Sequence, residues 1–352
     1  MNNTSISISI NFVLINQSIN RYAPIPLLLF GIIGNILNIL VFTRKIFRNN
    51  ICVIYFLSST IFDSFVIVIS LFPRLLLGFN IDPTQNSSVL CKLRFFITYY
   101  SGYSAAWFIG LACIERYLCS SIDIYKRQLV TMKRAYLSII VVMLLGIFIY
   151  GEQFYCIDIH QQLFGAPQSC YQLKRNIQCQ IVDSLMQFLF EILAPTLMMI
   201  IFGSLTLRNI HQRRNRRCYP VQTNNPSIPT VDVITIPNPS SATQQLGNAG
   251  NVVNNQRIKK RDIQLVTMLL VQVIVFIIST FPISIYKLYS IATIHETKSK
   301  LRQSIENTIF NISVISLFLN NIITFYINTL CGTIFRKELI RLFRPLQQII
   351  YK

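Results

Sequence analysis

The feature that most constrains the fold is a run of 20 residues, 95–114, without a single charged side chain. Cys91 and two basic residues precede this run, and Glu115-Arg116-Tyr117 follows it. Because an α-helix rises about 1.5 Å per residue and about 20 apolar residues cross a bilayer, residues 91–117 are predicted to form a membrane helix. An arginine at membrane depth normally lies inside a helix bundle with a partner. We therefore expect this helix to lie at the centre of a helix bundle.

The overall composition also indicates a membrane protein. Of the 352 residues, 52% are hydrophobic and only 13% are charged, which is too apolar for an ordinary soluble domain. The net charge of +19 is also compatible with a protein that binds nucleic acid. The basic residues, however, lie in short segments between apolar spans, as expected of the loops of a membrane protein. Their positions argue against nucleic acid as a partner.

Six further apolar spans give a total of seven. They cover residues 23–43, 51–73, 135–151, 181–207, 263–286 and 307–330. After the last span, residues 332–344 place apolar side chains on one helical face between basic ones, which is typical of an amphipathic helix in the membrane interface. The predicted fold is an all-α membrane protein with a seven-transmembrane helix bundle over 22–330. A short C-terminal amphipathic helix and a cytoplasmic tail follow over 331–352.

The basic residues also predict the orientation of the bundle. Most of the 32 Lys and Arg residues lie on the same side as the C-terminal segment. By the positive-inside rule, the N-terminus is extracellular and the C-terminus cytoplasmic, in a multi-pass protein of the plasma membrane. Residues 1–21 are then an extracellular arm, with N-x-S/T sequons that predict glycosylation at Asn3 and Asn16.

One connection between the spans is long. Residues 218–256 are rich in Pro, Asn, Ser and Gln and show no sustained periodicity, so a disordered cytoplasmic loop is predicted. Basic clusters at 208–217 and 257–261 flank the loop. These clusters are suited both to anionic lipid and to docking of a cytoplasmic partner.

Residue motifs in five of the spans resemble those of one known family. They are Gly34-Asn35 in the first span, Asp63 in the second, Cys91 and Glu115-Arg116-Tyr117 at the two ends of the third, Pro195 in the fifth, and Phe276 with Pro282 in the sixth. In this order they resemble the rhodopsin-like (class A) G protein–coupled receptors, over roughly residues 22–344. The resemblance implies an extracellular ligand, a heterotrimeric G protein and outward movement of the sixth helix on activation.

The chain also departs from that family's pattern. Ser279-Thr280-Phe281-Pro282 lacks the sixth-helix tryptophan, and the seventh-helix Asn-Pro-x-x-Tyr is missing. Thr324-Phe325-Tyr326-Ile327-Asn328 occupies the corresponding region, and Gly203 replaces the fifth-helix tyrosine. These losses put the family's usual activation details in doubt, though not its fold. They are similar to those of divergent invertebrate neuropeptide (FMRFamide-type) receptors.

The resemblance assigns switch residues and a polar core. Glu115, Arg116 and Tyr117 are expected to couple to the G protein, with Asp262 as the cytoplasmic partner of Arg116. An acid near mid-membrane is a functional position by default. Asp63, with Asn35 and Asn320 as expected neighbours, predicts a hydrated pocket with a possible bound sodium ion. The alternative is an Asp63 that is protonated or merely hydrogen-bonded.

The resemblance also implies a disulfide from Cys91 to the loop between the fourth and fifth spans. That loop region offers Cys156, Cys170 and Cys179. Cys170 is the best placed, in the middle of the loop, which leaves Cys156 and Cys179 free or paired with each other. The connectivity itself cannot be read from a sequence.

Ten residues in the outer half of the bundle are candidates for the ligand pocket. They are Thr98, Tyr99, Gly102, Tyr103, Asp183, Gln187, Glu191, Ser284, Tyr286 and Lys287. Amine receptors of the family carry an aspartate where this chain has Thr98, and opsins need a seventh-span lysine that residues 307–330 lack. A peptide ligand is favoured, because Asp158, Asp183, Glu191 and Glu296 are suited to a basic peptide end.

Other classes of protein are less compatible with the sequence. It contains no HExxH, GxSxG or P-loop motif, so no enzyme is predicted, and no His/Cys set has metal-ligand spacing. A transporter would show internal repeats and more intramembrane charge. A receptor for a non-peptide small molecule, a non-signalling decoy and a transporter remain the alternatives.

Overall fold

The computed structural model describes residues 3–48, 50–79, 81–160, 170–172, 176–216 and 241–350. Its helices are α1 (Asn3–Tyr22), α2 (Pro24–Phe42), α3 (Lys45–Arg48), α4 (Ile51–Val66), α5 (Phe72–Gly78), α6 (Ser88–Ser120), α7 (Ile124–Gln128), α8 (Met132–Tyr150), α9 (Gln153–Cys156), α10 (Ile177–Met186), α11 (Ala194–Arg216), α12 (Ser241–Ala292), α13 (Lys300–Cys331) and α14 (Thr333–Ile350). Two π-helical turns, Ile67–Leu71 and Gln187–Leu193, join α4 to α5 and α10 to α11, and a 3₁₀ turn spans Pro83–Gln85.

Six helical spans are long and apolar enough to cross a membrane. Within the described residues they are Leu14–Phe42, Ile51–Gly78, Met132–Cys156, Ile177–Gln212, Gln264–Ala292 and Lys300–Cys331. Helix α6 is not among them, since Ser, Thr, Tyr and Gly interrupt its apolar residues. It nevertheless packs against α4, α8 and α11, so it occupies the centre of the bundle as predicted.

Side-chain caps set the start of four main helices. Asn50 accepts a hydrogen bond at the start of α4, Ser87 at α6, Thr131 at α8 and Ser299 at α13. Each satisfies a backbone N–H of the first helical turn that has no partner within the helix. The boundaries between helix and loop are therefore encoded locally.

Both π-helical turns occur immediately before a proline. Ile67–Leu71 precedes Pro73, and Gln187–Leu193 precedes Pro195. Proline has no N–H to donate and its ring clashes with the carbonyl four residues earlier, which widens the preceding turn. Such turns reorient the side chains that they carry and are frequent at functional sites.

A two-stranded antiparallel hairpin lies beside the start of α6. Strand β1 (Ile157–Asp158) pairs with β2 (Tyr171–Gln172). A disulfide joins Cys91 of α6 to Cys170, directly before β2, and a second joins Cys156 to Cys179. The first disulfide links the hairpin to α6, and the second links α9 to α10. Together they fix one end of the bundle.

The N-terminal segment differs from the prediction. Residues 3–22 form α1, which packs against α13 and α5 instead of extending as an arm. Asn16 and Asn20, one helical turn apart, are both 4% exposed, and Asn16 accepts a hydrogen bond from Asn311. A glycan on the Asn16 amide would require that amide at the surface, so this position argues against the glycosylation predicted there. The side chain of Asn3 lies outside the described residues.

Two further boundaries need correction. Helix α12 begins at Ser241, so residues 241–256 of the predicted disordered loop are helical, while 217–240 lie outside the described residues. The last proline before α12 is Pro239, and nothing from there to Pro282 interrupts a helix. Helix α13 begins seven residues before the predicted span, at Lys300, where the Ser299 cap starts it.

Candidate functional site

A cavity opens in the half of the bundle that carries the disulfides. It contains about 950 Å³ of empty space, counting the part open to solvent. Its aromatic wall consists of Phe95, Tyr99, Tyr171, Phe276, Phe310 and Phe318. Its charged groups are Arg74, Arg94, Glu191 and Lys287. A concave, mainly apolar site with a few convergent polar groups is typical of ligand-binding cavities.

Helical periodicity explains which residues reach the cavity. Arg94, Thr98 and Gly102 follow one another at intervals of four on α6, and so share one face of the helix. On the opposite wall, Phe310, Val314 and Phe318 of α13 follow the same spacing. The cavity is therefore the space between two helix faces, closed by the hairpin residue Tyr171.

Six of the ten predicted pocket residues line this cavity: Thr98, Tyr99, Gly102, Gln187, Glu191 and Lys287. The other four do not. Tyr103 is 1% exposed in an aromatic cluster with Tyr150, because it lies about 100° around the helix from Gly102. Ser284 donates a hydrogen bond to its own helix, and Tyr286 lines a smaller neighbouring pocket.

Asp183, the fourth, lies behind the cavity wall in a buried ion pair. Its Oδ2 is 3.1 Å from Nζ of Lys287, and its Oδ1 accepts a hydrogen bond of 2.7 Å from Gln153. Lys287 also donates to the hydroxyl of Tyr99 at 3.3 Å. Asp183 is 1% exposed and Lys287 9%. The pair ties α12 to α10, so Asp183 is engaged and is a poor candidate for binding a peptide end.

Glu191 is the acid that faces the cavity. It lies on the π-helical turn Gln187–Leu193, is 6% exposed, and its Oε2 has no hydrogen-bond partner among the described residues. A Cβ on Gly102 would lie 2.6 Å from Oε1 of Glu191, so any side chain there would force the carboxylate to shift. Gly102 therefore provides the space in which the carboxylate sits.

Two arginines of the cavity wall were missed by the sequence reasoning. Arg94 forms an ion pair of 3.1 Å with Asp82. Arg74 is 4% exposed, donates to Asn20 Oδ1 at 3.0 Å, and donates a second hydrogen bond to Asn311. The second span was predicted to end at Pro73, whereas the helix continues to Gly78. An arginine directly after an apolar span was the signal that could have identified this position.

The hairpin and the loop before α13 hold the remaining predicted acids. Asp158 accepts hydrogen bonds from the Ser88 hydroxyl at 2.7 Å and from the backbone N–H of Ile159 at 2.8 Å, which together lower its pKa. The bond from Ser88 holds β1 against the start of α6. Glu296 forms an exposed ion pair of 2.7 Å with Arg302.

A second, smaller cavity lies deeper in the bundle. It holds about 350 Å³ of empty space and is lined by Asp63, Asn320, Ser59 and Ala105. Asn35, the third predicted member, is not part of this lining; its amide donates to the backbone carbonyl of Asn321 at 3.3 Å. Carboxylate, amide and hydroxyl oxygens are ligands that a hard cation accepts. The described residues contain no group of three or more His, Cys, Asp or Glu suited to a metal ion.

At the end of the bundle opposite the disulfides, the side chain of Arg116 is buried. Its Nε lies 2.7 Å from Glu115 Oε2, and its Nη2 donates to Asn50 Oδ1 at 2.8 Å. Asn50 also caps α4, so one amide oxygen links the start of α4 to the foot of α6. Tyr117 accepts a hydrogen bond of 3.3 Å from Lys126. The side chain of Asp262 lies outside the described residues.

A chain of amides crosses the bundle where the seventh-helix motif is missing. Gln272 of α12 donates to Asn328 of α13 at 3.1 Å, and Asn328 donates to Asn38 of α2 at 3.2 Å. All three residues are buried. The sequence analysis did not predict this series of amide hydrogen bonds, although three amide side chains within apolar spans indicated that such bonds exist.

Comparison with known proteins agrees with this architecture. The model of the family described as 7 transmembrane receptor (rhodopsin family) matches residues 34–323. A comparison with curated proteins found no match.

Proposed function

Because the chain belongs to the rhodopsin family of seven-transmembrane receptors, we propose that it binds an extracellular peptide and activates a heterotrimeric G protein. Receptors of this family are multi-pass membrane proteins that signal and are not enzymes. The observation that carries the proposal is the cavity of about 950 Å³, with its aromatic wall and its charged groups of both signs. Aromatic and charged groups together suit a peptide better than a purely apolar ligand.

The disulfides support the orientation that the basic residues predict. Disulfides form in oxidising compartments, so the end of the bundle with Cys91–Cys170 and Cys156–Cys179 is the extracellular one. The cavity opens in that half. The N-terminus is then extracellular and the C-terminus cytoplasmic, at the plasma membrane. In this orientation Arg116 lies at the cytoplasmic end.

Signalling in this proposal is a shift between two states of the bundle. A ligand favours one state only if it binds that state more tightly than the other. Helix α12 contributes Lys287 to the ligand cavity and continues to the cytoplasmic end, with Pro282 inside it. Outward movement of α12 would expose Arg116, Glu115 and Tyr117 to the G protein.

The deeper cavity is proposed to hold a sodium ion. Asp63 would supply the charge, with Asn320 and the Ser59 hydroxyl as further oxygen donors. Ser59 also donates to the backbone of Ala105 at 3.2 Å, which leaves the lone pairs of its oxygen for a cation. Such an ion would stabilise the resting arrangement of the bundle.

A G-protein activation assay in cells tests the proposal. A peptide library is screened against wild type and Arg116→Ala at equal surface expression. We expect a peptide response in wild type that is lost in the variant, since Arg116 is the buried cation at the coupling end. Lys133→Ala, an exposed basic residue at the same end, is the matched control and should respond like wild type.

The outcomes separate the alternatives. Basal activity that depends on Arg116 without any peptide response would retain the receptor and reject the peptide. No signal from well-expressed protein would reject G protein coupling and favour a decoy or a transporter.

A further inference from the structure

The charges in the cavity wall do not all cancel within the protein. Arg94 is neutralised by Asp82 and Lys287 by Asp183, each at 3.1 Å. Two buried charges remain, Arg74 and Glu191, and neither forms an ion pair with a described residue. A buried charge without a counter-charge is costly, so proteins pair it or leave it for a ligand.

The guanidinium of Arg74 is positioned to bind an anion. Its two described hydrogen bonds go to neutral amide oxygens, those of Asn20 on α1 and Asn311 on α13. Asn311 is itself held by Asn16 of α1 at 3.2 Å. These bonds use two of the five N–H donors of a guanidinium and fix its plane. The remaining donors are available to a group in the cavity that Arg74 lines.

The charge around Arg74 indicates which anion fits. Arg94, which lines the same cavity, has the same sign but is already balanced by Asp82. The excess at this end of the cavity is therefore one positive charge. A carboxylate carries one negative charge and matches the planar guanidinium fork with two parallel hydrogen bonds. A phosphate would bring a second negative charge that nothing here balances.

The carboxylate of Glu191 is positioned to bind a cation at the α10–α11 side of the cavity. Lys287 lies within electrostatic range of it but pairs with Asp183. The unpartnered Oε2 is buried, and Oε1 lies over Gly102 of α6, where a Cβ would be 2.6 Å away. An ammonium or guanidinium group of a ligand would satisfy it.

We propose that the cavity recognises a peptide with a free C-terminal carboxylate at Arg74 and a basic side chain or amine at Glu191. The inference rests on the proposed receptor function and names the chemistry of its ligand. It also separates two classes of peptide. A peptide with an amidated C-terminus carries no charge for Arg74 and is bound more weakly than the matching free acid.

The test measures binding to the full-length chain purified in detergent. The probes are Arg-Phe, Arg-Gly-Phe and Arg-Gly-Gly-Phe, each as the free acid and as the C-terminal amide, and the readout is the ligand-dependent rise in Tm. At least one acid should bind about tenfold more tightly than its amide, the difference expected for a charge-assisted pair. Arg74→Gln should remove this preference while keeping a donor for Asn311. Arg21→Gln, an exposed arginine that donates to Gly78 beside the same helix, should keep it.

Glu191→Gln provides an independent arm. Because acid and amide carry the same guanidinium, this variant should weaken both forms equally and keep the preference for the acid. Equal affinity of acid and amide for wild type would overturn the proposal, and this comparison needs no variant to fold. Persistence of the preference in Arg74→Gln, or no binding by any probe, would overturn it as well.

The result does not depend on signalling. Acid-selective binding without G protein activation would uphold this site and reject the proposed coupling. Activation by amidated peptides with no acid preference would uphold the coupling and reject this site.

Discussion

The buried pair Lys287–Asp183 should be far more important for stability than an exposed pair of similar geometry. Replacing Asp183 by Asn leaves the ammonium of Lys287 buried without its acid, with the Tyr99 hydroxyl at 3.3 Å as its described acceptor. Removing one partner of a buried pair costs about 3–5 kcal/mol. Glu191 lies within electrostatic range of Lys287 and offsets part of the loss, so we expect about 3 kcal/mol for Asp183→Asn.

The matched control is the exposed pair Arg302–Glu296. Its atoms are 2.7 Å apart, closer than in the buried pair, but its side chains are 39% and 53% exposed. Exposed pairs contribute about 0–1 kcal/mol, because water screens them and both side chains lose freedom. Glu296→Gln makes the same chemical change as Asp183→Asn and should cost less than about 1 kcal/mol.

The assay is thermal unfolding of the purified receptor for Asp183→Asn, Lys287→Met, Glu296→Gln and the double variant Asp183→Asn/Lys287→Met. At about 2 °C per kcal/mol, the buried variant should lower Tm by about 6 °C and the exposed one by less than about 2 °C. Removing both charges should cost less than the sum of the two single changes, since no uncompensated charge remains. Equal effects at the two sites, or additive losses in the double variant, would refute the argument from burial.

Three further predictions address the cavity, the amide chain and the hairpin. Gly102→Ala should displace the Glu191 carboxylate, because its Cβ would lie 2.6 Å from Oε1 at the flexible end of that side chain. It should therefore weaken binding of the arginine-containing probes with little change in Tm, whereas Gly203→Ala, whose Cβ meets its nearest atom at 3.5 Å, should leave both binding and Tm unchanged. Asn328→Ala should lower stability to unfolding by about 1–3 kcal/mol, since it leaves two buried amides without their partner, and an unchanged Tm would contradict the role of the chain. The pKa of Asp158 is lowered in the folded state, so its stabilising effect is complete above its unfolded pKa and is lost as pH falls through the folded one. The Tm difference between wild type and Asp158→Asn should therefore be constant near neutral pH and vanish in acid; a difference that persists there would exclude the ionised carboxyl as its source.

The helices were predictable because bilayer thickness dictates their length. Apolar spans of about 20 residues can be found without any tertiary information. Their ends were less predictable. The π-helical turns before Pro73 and Pro195 and the start of α13 at Lys300 follow from proline and capping chemistry, which acts locally and leaves hydropathy unchanged. Helix α1 was missed because the buried residues among its described side chains are Asn16 and Asn20, which are typical in composition of a solvent-exposed arm.

The site was harder to predict than the fold because it depends on helix rotation. Adjacent residues such as Gly102 and Tyr103 point about 100° apart, and packing against other helices decides which of them faces the cavity. Pairs between distant segments, such as Arg74 with Asn20, join residues that nothing in the sequence connects. A polar residue within an apolar span indicates that a partner exists, but it does not identify that partner.

The distribution of polar contacts along α12 indicates how a ligand could move the end of this helix that lies away from the ligand cavity. Near the ligand cavity, the buried ion pair of Lys287 anchors the helix to α10. Further along, the contacts of its described side chains are neutral: Gln272 with Asn328 at 3.1 Å, and Gln264 with the Thr333 hydroxyl at 3.0 Å. Neutral hydrogen bonds contribute about 1 kcal/mol each, less than breaking a buried ion pair costs. Among the described side chains, α12 is thus held most firmly near the ligand cavity, and we expect movement on ligand binding to be largest towards the opposite end of the helix. Replacing Gln272 by Leu should then raise basal G protein activation, whereas reduced or unchanged basal activity at equal surface expression would refute this gradient.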